Sequence, residues 1–157
     1  MATKAIIFIG SSVCVGSGAA NNRGWSTLLA ERLEAEGWRT SNCAIGGQTT
    51  ADILLRLDRD VMQHHPEICI VGLGLANEGL ATACDHSSAR IIQGIFEHNL
   101  KMIVKALQAA GIQVILGGVY PNNHYTEFQY KVLKETDRKS TRLNSSHPTT
   151  SRMPSSA

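Results

Sequence analysis

Between Lys4 and Lys101 the chain has no lysine, which removes the Gly-Lys-Ser/Thr ending that a Walker phosphate loop requires. Its four cysteines, Cys14, Cys43, Cys69 and Cys84, stand singly with no Cys-x-x-Cys pair. That spacing excludes a paired zinc or dithiol motif, and all four read as reduced small hydrophobes. The histidines show no metal-ligand spacing, so no metal is expected. No apolar run approaches the length of a membrane span. The first apolar run ends at Gly10, too short for a secretory leader, and a cytoplasmic chain is the expectation. A basic stripe is also missing. The net charge of +2 is produced by residues 137 to 157, where Arg138, Lys139, Arg142 and Arg152 face only Asp137. The other 136 residues carry 11 basic and 12 acidic side chains, so no nucleic-acid partner is expected.

What remains is a 157-residue chain with 43% hydrophobic and 18% charged residues, enough for one globular domain. Its organising stretch is residues 4 to 18. Ala5 to Ile9 is short, apolar and rich in β-branched residues, as a strand buried on both faces would be, and it stops at Gly10. A turn of glycine and serine follows, and a helix is expected from about Gly24. Strand, small-residue turn and helix place a hydroxyl at the carboxyl end of a strand, the edge where open α/β sheets bind ligands. The turn is either a nucleophile turn or a glycine loop for an anion. A dinucleotide fingerprint would need an acidic residue near the end of the second strand, and none stands near Asn42.

Further along, Trp25, Leu28, Leu29 and Leu33 define one face of a helix that Gly37 ends. Arg39 to Ala44 reads as a second strand. Thr49 or Thr50 caps a helix whose apolar face is Ile53, Leu54, Leu57 and Val61. Ile68 to Leu73 is a third buried strand, followed by a long polar loop from Gly74 to Ser88. A long helix carries Ile91, Ile92, Ile95, Phe96, Ile103, Val104 and Leu107, and Ile112 to Val119 is a fourth strand. Glu127 to Glu135 begins another helix. Alternating strands and helices imply a parallel sheet with right-handed crossovers and helices on both faces, a three-layer α/β/α fold.

Three loops, each just after a predicted strand, carry the functional signal. Gly10-Ser11-Ser12-Val13-Cys14-Val15-Gly16-Ser17-Gly18, Asn42 to Thr50 with Gly46-Gly47, and Gly74-Leu75-Ala76-Asn77-Glu78-Gly79 occur in that order. They resemble the first three blocks of the SGNH (GDSL) hydrolases, with Ser11 at the usual aspartate of the first block and Glu78 at that of the third. The resemblance implies a flavodoxin-like sheet of order 2-1-3-4, with a fifth strand missing, and loops bearing Ser12, Gly47 and Asn77 converging at one rim.

It also implies a serine-dependent hydrolysis of acyl esters. Ser12 would be the nucleophile, and Gly47 and Asn77, with the Ser12 N–H, the oxyanion donors. Fixed donors stabilise the charge that acyl transfer develops. No cofactor is implied; lipid esters, thioesters, carbohydrate acetates and lysophospholipids all fit as small-molecule substrates. The plainer readings are a capping serine, a tight turn at Gly47 and a self-satisfied loop asparagine. The alternative function is a non-catalytic flavodoxin-like domain binding an anion or small ligand. The family's base comes from a late Asp-x-x-His block, which no segment before Thr136 supplies. His124, after the fourth strand, is placed in a substrate pocket and His86 on the same side. His64 and His65 belong to the opposite rim, and His98 is solvated.

Composition shifts after Thr136. Residues 137 to 157 hold two apolar side chains larger than alanine, Leu143 and Met153, without a period. The segment Asp137 to His147 also matches the translation of a common sequencing adapter. The expectation is a partial hydrolase domain over 1–136, inactive or weakly active, and a disordered, non-native tail over 137–157.

Overall fold

A computed structural model describes residues 3–118 and 125–145. Four parallel strands, β1 (Ala5–Gly10), β2 (Arg39–Asn42), β3 (Ile68–Gly72) and β4 (Gln113–Leu116), lie in the order β2-β1-β3-β4. The helices are α1 (Ser12–Val15), α2 (Trp25–Ala35), α3 (Thr50–Asp60), α4 (His86–Ala109) and α5 (Glu127–Ser145). The expected strand order is thus observed.

β1 is buried along nearly its whole length because the sheet is covered on both faces. The two-residue alternation sends Ile6 and Phe8 toward α2, where Phe8 meets Trp25 edge-on with ring centroids 5.9 Å apart. Ile7 and Ile9 enter the larger core with Ile53, Leu57, Val71, Phe96, Ile103 and Leu107 from α3, β3 and α4. Thr49 caps α3 through a reciprocal pair of bonds with Asp52. Asp85 and Ser88 do the same for α4, which starts at His86, inside the segment read as loop. A 3-10 turn, Leu80–Thr82, precedes it.

Several expected core positions are surface positions. Leu28 is 53% exposed, and the buried side of α2 is built from Trp25, Ser26, Leu29 and Leu33. Ile91 and Ile95 also face outward, because α4 turns Ala89, Gln93, Phe96, Leu100 and Ile103 inward. Cys14 and Cys69 are buried free thiols pushed up to about 12 by burial, whereas Cys84 is exposed and is no core hydrophobe.

The expectation of disorder from residue 137 fails over the described part of that segment. α5 continues to Ser145. Its inward stripe is Val132, Leu133, Thr136, Ser140 and Leu143, so buried hydroxyls occupy places where an apolar period was sought. Those hydroxyls bond back into the helix, Thr136 Oγ1 to the Val132 carbonyl at 2.8 Å and Ser140 Oγ to the Thr136 carbonyl at 3.0 Å. Lys139 reaches Glu97 of α4 at 3.1 Å. Asn144 then satisfies the edge of β4: its amide donates to the Leu116 carbonyl and accepts from the Leu116 N–H, both at 2.9 Å.

Two substitutions test this packing. Asn144→Ala should lower stability in urea unfolding by about 1–2 kcal/mol, from two lost hydrogen bonds at a strand edge. Gly10→Ala should cost about 3 kcal/mol or more, since overpacking against backbone has no soft neighbour to yield. A Cβ there would lie 2.1 Å from the Gly72 carbonyl oxygen. A loss under about 1 kcal/mol for Gly10→Ala would mean that the two strands can part at little cost.

Candidate active site

β1 and β3 run side by side to their last residues, Gly10 opposite Gly72. The Ser11 N–H continues the ladder by donating to the Gly72 carbonyl at 3.2 Å, and the chain then bends into α1. Ser11 is buried and occupies the N-cap, without a side-chain capping bond. Ser12 is the first helical residue and half-buried. The Ser12 carbonyl accepts from Gly16 and Ser17. No hydrogen bond reaches the Ser12 hydroxyl from the described residues, so it is not a capping group.

The turn is held by tight backbone contact. Gly16 takes a left-handed φ of 103°, and a Cβ on it would meet the Asn22 carbonyl at 2.5 Å. Behind it, Ser26 Oγ donates to the Cys14 carbonyl at 2.5 Å, and Asn42 Nδ2 donates to the same oxygen at 3.0 Å. Asn42 therefore ties the end of β2 to the turn that bears Ser12. Cys14 lies in that turn, but its buried thiol stays protonated and is no rival nucleophile.

The loop after β2 runs alongside. The Cys43 N–H donates to Phe8 O at 2.8 Å and Ile45 N–H to Gly10 O at 3.1 Å, extending β-like pairing past the strand. Gly46 then passes Ser12, with a Cβ position 3.9 Å from the Ser12 Cβ. Gly47 is exposed and adopts φ 76°, where the constraint is conformational, because the space around it is open.

The loop after β3 closes the arrangement. Asn77 Nδ2 donates to the Gln48 carbonyl at 2.9 Å. Glu78 Oε1 accepts from the Thr50 N–H at 2.5 Å, capping the first turn of α3 from across the loop. Thr50 Oγ1 in turn accepts from Asn99 of α4 at 3.0 Å. The loop bearing Gly47 is thus bonded to the Ser12 turn on one side and to the Asn77 loop on the other, and the Ser12 turn is bonded to the end of β3. His124 lies outside the described residues. His86 opens α4 with its ring 5.0 Å from Phe128, while His64, His65 and His98 are exposed. A groove of about 410 Å³ between α4 and α5, floored by Leu100 and Leu143, takes no lining from the three loops.

The residues that sequence reasoning missed are the polar ties: Ser26, Asn42, Gln48 and Arg56. Arg56 was hidden within a helix face read for its apolar members. The signal for it was Asp60 one turn later, since a buried guanidinium needs a carboxylate.

A parallel sheet with a hydroxyl turn after the first strand, a glycine turn after the second and an asparagine after the third defines the class of α/β hydrolytic folds that the loops suggested. The chain belongs to the GDSL-like lipase/acylhydrolase family, whose pattern matches residues 8–147. It is 28% identical over 120 residues to esterase TesA of Pseudomonas aeruginosa, covering 75% of this chain and 55% of that protein. It is 26% identical over 117 residues to an arylesterase of Vibrio mimicus, covering 73% and 54%. The chain therefore spans about half the length of these curated relatives. Among solved structures, the psychrotrophic esterase EstA of a Pseudoalteromonas species superposes with a TM-score of 0.67 at 26% identity, over 92% of this chain and 75% of that one. Among the described residues, no helix is long and apolar enough to cross a membrane.

Asp60 reports on the polar ties beside the site. Hydrogen bonds from Arg59 and Arg56 hold its carboxyl down at about 2, against an ordinary 3.8. A depressed carboxylate stabilises the fold fully above its ordinary value and loses that contribution as pH falls toward the depressed one. Asp60→Asn should therefore be less stable than the parent at neutral pH, with the gap closing as pH falls from 3.8 toward about 2. Urea midpoints measured across that window decide it; a gap independent of pH would contradict the assignment.

Proposed function

We propose that the protein is a serine-dependent carboxylic ester hydrolase in which Ser12 Oγ attacks the acyl carbonyl. The Oγ–C bond forms as the hydroxyl proton passes to a base, and the carbonyl oxygen takes up the negative charge. The backbone N–H groups of Ser12 and Gly47 and the Asn77 side-chain amide receive that charge. The tetrahedral intermediate then collapses: the bond from the acyl carbon to the alkoxy oxygen breaks, and the alcohol leaves with the proton taken by the base. Water next attacks the acyl-serine, giving a proton to the base, the Oγ–C bond breaks, the acid leaves, and Ser12 regains its proton. Small acyl esters are the substrate class.

The observation that carries this reading is the bond from Asn77 Nδ2 to the Gln48 carbonyl. It consumes one amide hydrogen, leaves the second for a ligand, and fixes the asparagine against the residue that follows Gly47. A donor arranged before the reaction costs no reorganisation when charge develops. The esterase and arylesterase names of the relatives support the same class.

The base is the weak element. None of the described histidines hydrogen-bonds to Ser12, and loss of the triad histidine in a serine protease costs on the order of 10⁶-fold in kcat. A fluorophosphonate, the chemistry closest to the monoethylphosphonate in the EstA structure, should label Ser12 on long incubation, as seen by intact mass, and Ser12→Ala should abolish the label. On p-nitrophenyl acetate, Asn77→Ala should lower the residual kcat by about 10²-fold, the scale of one lost oxyanion donor. Phosphate binding without any label at Ser12 would instead support an anion-binding domain.

A further inference from the structure

Arg56 occupies the second turn of α3 with 6% of its side chain exposed. Its Nε donates to Gln48 Oε1 at 2.5 Å. Its Nη1 donates to the Cys43 carbonyl at 2.6 Å and to Asp60 Oδ2 at 2.8 Å. One planar group therefore grips both ends of the arch from Cys43 to Gln48, with Gly46 and Gly47 between them. The Cys43 end is itself fastened to β1 through its N–H. The Gln48 end receives Asn77 on its main-chain carbonyl. The guanidinium is thus one step from Gly47 along the chain and one step from Asn77 through space.

Stability alone does not explain this choice. Desolvating a guanidinium is costly, and apolar replacements of buried ion pairs are often neutral or stabilising. Nη2 is buried with no partner among the described residues, which adds to the cost. The neighbours Ile53 and Leu57 show that the helix face accepts apolar side chains. What an apolar residue cannot do is present two N–H vectors in one plane to acceptors at opposite ends of a loop.

We propose that Arg56 is the positioning residue of the oxyanion site: through Cys43 and Gln48 it holds the arch so that the Gly47 N–H and the Asn77 amide keep a fixed separation. This inference rests on the esterase reading for its consequence in catalysis, though not for the loop geometry itself. Arg56 touches no reacting atom; it acts through Gln48. Lysine, whose three donors share one nitrogen and cannot form a planar fork, does not replace it.

The test uses the whole chain with Gln48→Ala, Arg56→Met and Arg56→Lys. Gln48→Ala severs the loop end while leaving Arg56 its Cys43 and Asp60 partners, so it does not depend on Arg56 variants folding. Backbone and side-chain amides are followed by ¹⁵N NMR, and p-nitrophenyl acetate hydrolysis gives kcat and KM. In Gln48→Ala and Arg56→Met, the Gly47 amide and Asn77 side-chain resonances should move and broaden, while the Ile9 and Val71 amides keep their protection. Ser12-dependent kcat should fall by up to about 10²-fold with KM little changed, the effect of loosening a site by a fraction of an ångström. Arg56→Lys should restore neither readout. Unchanged Gly47 and Asn77 resonances in Gln48→Ala overturn the proposal. So does recovery of kcat in Arg56→Lys. Turnover that survives Ser12→Ala defeats the esterase reading instead, and the resonances still decide the role of Arg56.

Discussion

The close approach of Gly10 to Gly72 is the constraint on which the site depends. The two parallel strands end at this spacing because Gly10 carries no side chain: a methyl group on it would sit inside the Gly72 carbonyl. With that contact made, the Ser11 N–H has an acceptor waiting on β3, and the chain bends without losing its last ladder bond. The serine that follows is thereby delivered to the carboxyl rim, where the loops after β2 and β3 also arrive. The architecture supplies the location; small residues supply the room.

Holding the loops together is a task for polar contacts, not for the core. Asn42, Asn77, Glu78 and Arg56 each bond a main-chain atom of a segment other than their own. Irregular loops leave backbone groups that cannot pair with each other, and any that lie inside the protein must find a partner. Side chains that meet this need also stiffen the loops. The same interactions that satisfy the backbone therefore restrain the loops at this rim, and restraint of donors is what the proposed oxyanion stabilisation demands.

Much of this was readable in the residues, for reasons that differ from element to element. β1 announced itself as an unbroken apolar run, because a strand covered on both faces has no polar side to display. The loops that carry Gly47 and Asn77 were legible as ordered blocks after strands. Leu28, Ile91 and Ile95 misled because a helix can carry more apolar residues than its buried face holds. α5 escaped beyond residue 136 because Thr136 and Ser140 line its inner face, and hydroxyls that bond back to the helix carry no hydrophobic period. Arg56 and Gln48 escaped because a pairing between a helix and the loop before it is a matter of three-dimensional reach.

The central claim is that Ser12, Gly47 and Asn77 surround one small volume in which an anionic oxygen is stabilised. A crystal structure of the chain after reaction with an ethyl fluorophosphonate tests it most directly. The account predicts phosphorus bonded to Ser12 Oγ and one phosphonyl oxygen about 2.7–3.1 Å from the Ser12 N–H, the Gly47 N–H and Asn77 Nδ2. An adduct whose oxygens point to solvent, away from Gly47 and Asn77, would contradict it.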